Sequence, residues 1–191
     1  MRLPDKRPII VAVAGSNGAG KTLFYHSHLK HAGLRFVNAD VVARELGLDP
    51  YVAATTADAL RKALVQERES FVFETVFSDP VGEKVKFLQQ AEAVGYAVVL
   101  CFIRISDVEM SDDRVAMRVS QGGHDVPIEK LRSRFPRTLA NLRKAIEGLT
   151  SVMVFDNSDL SKPFQRVAEY NDGKRVKGPR PAPEWINERF K

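Results

Sequence analysis

Gly15-Ser16-Asn17-Gly18-Ala19-Gly20-Lys21-Thr22 decides how the rest of the chain is read. The stretch matches G-x-x-x-x-G-K-[ST], and its flanks matter as much as the match itself. Before it, IIVAVA (Ile9 to Ala14) is an unbroken apolar, largely β-branched run of the kind a buried strand shows. After it, residues 21–31 take a helical pattern. Small residues between a strand and a helix let backbone N–H groups curl around an anion, and the helix start adds its dipole. Lys21 supplies a point charge for the β- and γ-phosphates, and the Thr22 hydroxyl is a ligand for Mg²⁺. Gly15, Ser16, Asn17, Gly18, Ala19, Gly20, Lys21 and Thr22 therefore form the expected cradle for ATP (or GTP), with Thr22 on the metal.

Outward from this loop, apolar runs alternate with helical segments. Residues 35–38 suggest a second short strand, and 51–69 a helix with Ala59, Leu60, Ala63 and Leu64 recurring on one face. Residues 71–73 follow as a strand, 81–94 as a helix, and 96–103 as the most apolar strand. Residues 107–120 read as helix, 121–127 as a loop, and 128–148 as a helix bent or interrupted at Pro136. Residues 151–155 make a last core strand. Such alternation predicts an α/β fold, a P-loop NTPase three-layer sandwich with a mostly parallel sheet. Lid helices are expected over about 107–137. Past residue 160 the pattern changes: 165–170 and 174–177 flank Asp172-Gly173, the signature of a C-terminal β-hairpin. A P-loop core over 1–160 and a hairpin with a proline-rich tail over 161–191, packed on that core, are the expected units.

Composition narrows the classes. With 191 residues, 44% hydrophobic and 28% charged, the chain has an ordinary globular make-up for one domain or one domain with a small appendage. Its one cysteine, Cys101, sits inside AVVLCFI, so a disulfide framework and a Cys-rich zinc site are excluded and a buried, inert thiol is expected. A reducing, cytoplasmic setting follows. No apolar stretch approaches the roughly 20 residues that span a bilayer, and the opening MRLPDKRPII reads as mature protein, so no membrane is expected. The net charge of +5 is mild, and its cations are scattered apart from Lys174, Arg175, Lys177 and Arg180. No nucleic-acid recognition motif and no aromatic–basic interleaving accompany them, so nucleic acid is not an expected partner. His26, His28 and His31 lack carboxylate or cysteine neighbours at ligand spacing and read as a solvated helix face.

In open α/β sheets ligands gather at the C-terminal ends of strands. Asp40 stands there, after RFVNA, where a carboxylate can take or orient the proton of an attacking hydroxyl; an N-cap for the helix beginning VVARELG is its other reading. Glu74 and Thr75 end the next strand, with Ser78 close behind, and suit hydrogen bonds to a polar substrate. Glu74 could equally hold metal-bound water. Arg114 and Arg118 are spaced i, i+4 on one helical face, followed by His124, Arg132, Arg134 and Arg137, the make-up of an arginine-bearing lid over phosphates. The candidate catalytic set is thus Lys21, Asp40, Arg114 and Arg118. The candidate acceptor contacts are Asp40, Glu74, Thr75, Ser78, His124 and Arg134.

With GSNGAGKT, VNAD ending at Asp40, FETVFS over 73–78 and RVSQGGHDVP followed by RFPRTLANL, residues 9–155 resemble the zeta-toxin family of P-loop kinases. The likeness is to its short bacterial members, labelled zeta-toxin-like or ABC-type ATPases. The resemblance implies a fold related to nucleotide and shikimate kinases, and phosphorylation of a hydroxyl of UDP-N-acetylglucosamine. It implies Asp40 as catalytic base, Glu74 with Thr75 or Ser78 as the sugar-contacting region, and Arg118 or Arg114 as a lid arginine. An antitoxin protein is the partner it suggests. Where longer toxins carry a second lid arginine, this chain has Gly-Gly-His124-Asp-Val-Pro. The alternative reading is a P-loop ATPase or nucleotide-dependent regulatory module without an acceptor. Against it, the chain has no LSGGQ-like signature, and FVFE over 71–74 is its nearest approach to a Walker B strand.

Overall fold

The computed structural model describes residues 3–120 and 125–179. At its centre, β1 (Ile9–Ala14) is buried along its whole length, paired in parallel with β3 (Phe71–Thr75) on one side and β4 (Ala97–Arg104) on the other. β2 (Arg35–Val37) joins β3 and β5 (Ser151–Asp156) joins β4, again in parallel. Among the described residues the sheet has seven strands in the order β2-β3-β1-β4-β5-β6-β7. Both faces of its middle are covered, which is why β1 shows no apolar–polar alternation. Ile10, Ala12 and Ala14 point into one core with residues of α3 (Pro50–Gln66), α4 (Glu83–Ala93) and α6 (Ile128–Gly148). Ile9, Val11 and Val13 point into the other, against Phe24, Leu29 and Phe155. The α/β three-layer expectation holds.

The last two strands extend the same sheet. β6 (Gln165–Asn171) runs antiparallel to β5, and β7 (Lys174–Lys177) antiparallel to β6. Asp172 and Gly173 turn between them at φ 48° and 74°, the left-handed values a tight hairpin asks for. The predicted hairpin is therefore the sheet's edge, not a unit laid against it. The rest of the proline-rich tail, from residue 180, lies outside the described residues.

Local chemistry sets the helix starts. α1 (Lys21–Phe24) runs on as a π turn, Tyr25–Leu29, and a 3-10 turn, Lys30–Ala32. Asn38 caps α2 (Ala39–Leu46): its Oδ1 accepts the N–H of Asp40 at 2.7 Å and of Val41 at 3.3 Å. Asp49 caps α3, with Pro50 in its first turn. α4 begins at Glu83, whose N–H the Asp79 carboxylate accepts. α5 spans Val108–Ser120. Of the two expectations at Pro136, a bend or an interruption, the interruption does not hold: α6 runs unbroken through it. Pro136 is exposed, on the outer side of the helix, and its ring removes one main-chain hydrogen bond without ending the helix.

Candidate nucleotide and acceptor site

The loop between β1 and α1 needs its glycines. A Cβ on Gly15 (φ +150°) would come within 2.3 Å of the Ile103 carbonyl oxygen at the end of β4, and one on Gly20 (φ +88°) within 2.8 Å of Asn157 Nδ2. The loop's carbonyls are held from behind. Ser111 Oγ donates to Asn17 O at 2.8 Å, and Asn157 Nδ2 to Ala19 O at 2.9 Å. Arg114 Nη2 donates to Asn157 O at 2.8 Å, while its Nη1 reaches Gly18 O at 3.5 Å. Held in this shape, the loop's amides form the concavity that binds anions at helix starts.

Lys21, only 7% exposed, donates from Nζ to Ser16 O at 2.9 Å and stands 3.9 Å from Glu74 Oε1. Burial pushes its ammonium pKa below the ordinary lysine value; the charges of Glu74 and Asp40 work the other way, and Arg118 adds to the lowering. Thr22 Oγ1 donates to Glu74 Oε2 at 2.8 Å, and Asn38 Nδ2 donates to the same oxygen at 2.7 Å. The register explains the meeting: Glu74 lies opposite Val13, one pair before the end of β1. Asp40 is exposed in the first turn of α2 and, among the described residues, its carboxylate has no hydrogen-bond partner. Asn38 does the capping, so that carboxylate remains available for other chemistry.

This donor set fits a nucleoside triphosphate with Mg²⁺. The Thr22 hydroxyl and the Glu74 carboxylate are adjacent hard oxygens of the kind Mg²⁺ takes directly and through water. A desolvated ammonium beside them suits polyphosphate. Among the described residues no group of three or more His, Cys, Asp or Glu is arranged to hold a metal. On the histidine-bearing turn, His28 stacks on Phe24 at 4.6 Å between ring centroids.

From Lys21 a cavity of about 530 Å³ opens between α3, the loop after β3 and α6. Asp40, Glu74, Thr75, Ser78 and Arg134 all line it. Thr75 Oγ1 accepts the N–H of Phe77 at 3.2 Å, and Asn141 Nδ2 donates to Phe77 O at 3.0 Å and Asp79 O at 2.9 Å, which sets the loop's shape. Of the two arginines on α5, Arg114 is bonded to main-chain carbonyls behind the phosphate loop, while Arg118 is the one whose charge Lys21 feels. His124 lies outside the described residues.

Asn38, Ser111, Asn141 and Asn157 were not singled out from the sequence. Asn38 carried a signal, as a preferred capping residue immediately before a helix. The other three act over long sequence separations, which a pattern read along the chain does not reveal. Arg61 was also missed, though it stands where α3's buried stripe of Ala53, Ala57 and Leu64 calls for an apolar residue.

Parallel strands with β1 between β3 and β4, and a phosphate loop and helix directly after β1, make a P-loop fold. The chain belongs to the AAA domain family, whose model matches residues 10–143. No curated protein matches it in sequence. Among solved structures, the complex of AvrRxo1-ORF1 and -ORF2 with ATP is similar at TM-score 0.73 and 20% identity, covering 97% of this chain and 64% of the other. This chain thus spans just under two thirds of that protein's length. The PezAT chromosomal toxin–antitoxin system of Streptococcus pneumoniae is similar at TM-score 0.63 and 19% identity, covering 88% and 74% of the two chains. Shikimate kinase from Acinetobacter baumannii, in complex with shikimate, is similar at TM-score 0.51 and 19% identity, covering 72% and 79%. The fold-level likeness to zeta-toxin kinases expected from the motifs is borne out. No helix among the described residues is long and apolar enough to cross a membrane.

Proposed function

We propose that the protein is a phosphotransferase that binds ATP (or GTP) with Mg²⁺ at residues 15–22. On this reading it passes the γ-phosphate to a hydroxyl of a small molecule held in the adjoining cavity. The observation that carries the reading is that a single cavity of about 530 Å³ has Lys21 and Asp40 in its wall. That volume suits a small metabolite. UDP-N-acetylglucosamine, or a related nucleotide sugar, is the acceptor that the zeta-toxin resemblance favours.

When bound, the nucleotide and its Mg²⁺ supply the phosphoryl group and neutralise charge on it. The chain's own residues do the rest. Backbone amides of residues 15–20 and Lys21 hold the phosphates, and Thr22 and Glu74 present the metal-facing oxygens. Asp40 accepts the proton of the acceptor hydroxyl at a carboxylate oxygen and orients that hydroxyl. Arg118 lends positive charge where charge develops, and Arg114 braces the loop from behind. Thr75, Ser78 and Arg134 position the acceptor, and α5 with the start of α6 forms the lid.

The test is incubation of purified protein with γ-labelled ATP, Mg²⁺ and a panel of UDP-sugars, nucleosides and small metabolites, with label followed by mass spectrometry. Label on an acceptor hydroxyl is the expected result, and loss of that label in Asp40→Asn assigns the base. Phosphate release without any labelled acceptor would replace this reading with that of an ATPase. If the chain acts as a toxin, its induced expression slows growth and expression of Asp40→Asn does not; an antitoxin would relieve the first effect.

A further inference from the structure

The end of the acceptor cavity away from the phosphate loop carries more cation than its own carboxylates balance. Apart from Lys21, Asp40 and Glu74 beside the loop, its wall presents Arg61, Lys84, Arg134 and Arg137 against Asp58 and Asp79. Asp79 Oδ1 accepts the Glu83 N–H at the start of α4, and its Oδ2 lies 3.5 Å from Asn141 Nδ2. Asp58 is left to serve two cations at once. Its Oδ1 receives Arg61 Nη2 and, at 2.6 Å, Lys84 Nζ.

Arg61 is the unusual member. Its side chain is 6% exposed, and its guanidinium lies 4.9 Å over the ring of Phe73, which fixes it against β3. Burial lowers its pKa to about 10, so it stays charged at neutral pH and bears the desolvation cost. Lys84 is likewise pushed below the ordinary lysine value, first by burial and then by the charge of Arg61; Lys62 adds to this, and Asp79 and Glu83 oppose it. Were the cluster only structural, an apolar residue at position 61 would pack on the Ala53–Ala57–Leu64 stripe at no such cost. Nor does the cluster sit in packed core. A second hollow of about 310 Å³ adjoins it and shares Asp58, Arg61 and Lys84 as wall.

We propose that Arg61 and Lys84, held side by side by Asp58, form an anion subsite of the acceptor cavity. It takes a phosphate, diphosphate or carboxylate group of the molecule whose hydroxyl is phosphorylated. Arginine supplies a planar fork for paired oxygens and lysine a second point of charge, the combination that recognises oxyanions. Asp58 neutralises the two cations while the cavity is empty and competes with an incoming anion for them. Calling the bound molecule an acceptor rests on the phosphotransferase reading; the anion subsite itself does not.

Calorimetry on the full chain tests this, with the phosphate loop first saturated by Mg²⁺ and the non-hydrolysable β,γ-imido analogue of ATP. Inorganic phosphate is then titrated at constant ionic strength. The expected result is binding to the loaded protein, weakened about tenfold or more in Lys84→Gln and tightened in Asp58→Asn, where one competing carboxylate is gone. Arg61→Gln is the direct variant, but Arg61 is buried, so Lys84→Gln and Asp58→Asn carry the decision if that variant does not fold. Phosphate that binds only when the loop is empty overturns the subsite, as does equal affinity in the parent, Lys84→Gln and Asp58→Asn. A different failure marks the underlying reading: with phosphate bound as expected but no γ-label reaching any hydroxyl, the anion subsite stands and the acceptor role falls.

Discussion

Glu74 receives hydrogen bonds from Thr22 and Asn38 and faces the ammonium of Lys21, all through one carboxylate. Spacing alone left it between an acceptor contact and a holder of metal-bound water; its seat against Thr22 favours the second. Glu74→Gln is therefore expected to shift the Mg²⁺ dependence of activity to roughly tenfold higher concentration, with little change in nucleotide affinity measured without Mg²⁺. Asp40→Asn should keep nucleotide affinity while kcat falls about 10²- to 10⁴-fold, and Lys21→Ala should lose both. The α5 arginines should separate in the same assays. Arg118→Ala lowers kcat with the fold intact, whereas Arg114→Ala lowers Tm and nucleotide affinity together, because it releases Gly18, Asn157 and Ser158 carbonyls. Lys21 and Thr22 were legible because the phosphate-loop pattern fixes those residue types at that spacing after a strand. Arg114 and Arg118 were not separable, since i and i+4 share a helix face and only the seat of α5 on the loop tells them apart.

Elements were read well where burial dictates composition and less well where polar groups decide. β1 and β4 are buried on both faces and appear as plain apolar runs. The start of α4 and the unbroken course of α6 instead depend on Asp79 and on Pro136 facing water. At this scale Asn141 joins two elements: from α6 it holds the Phe77 and Asp79 carbonyls of the loop after β3. Asn141→Leu, close in volume, leaves both carbonyls without that donor at a cost of about 1–3 kcal/mol each. The expected outcome is a lower Tm and a raised KM for the acceptor, with nucleotide affinity near that of the parent; unchanged acceptor KM would separate the loop from acceptor binding.

Across the whole molecule, the strands and their parallel sense followed from alternation with helices, but the joining of β6 and β7 to the same sheet did not. A hairpin signal is local, and nothing in it names the strand it will lie beside. Cys101 reports on the entire fold, since it is fully buried in the central sheet and its thiol is pushed up to about 12 by burial. Its reaction with a thiol reagent at pH 8 should be negligible in the native state and should rise along the denaturant unfolding curve; fast labelling of native protein would refute the buried placement. Among the described residues, the sheet's two margins carry a last consequence. One is β2, three residues long, and the other is β7, whose four residues include Lys174, Arg175 and Lys177. Brief, charge-studded borders of this kind give an incoming chain little to zip onto, which guards against fibrous self-association. A protein that docks on this one would then read its side chains rather than lengthen its ribbon.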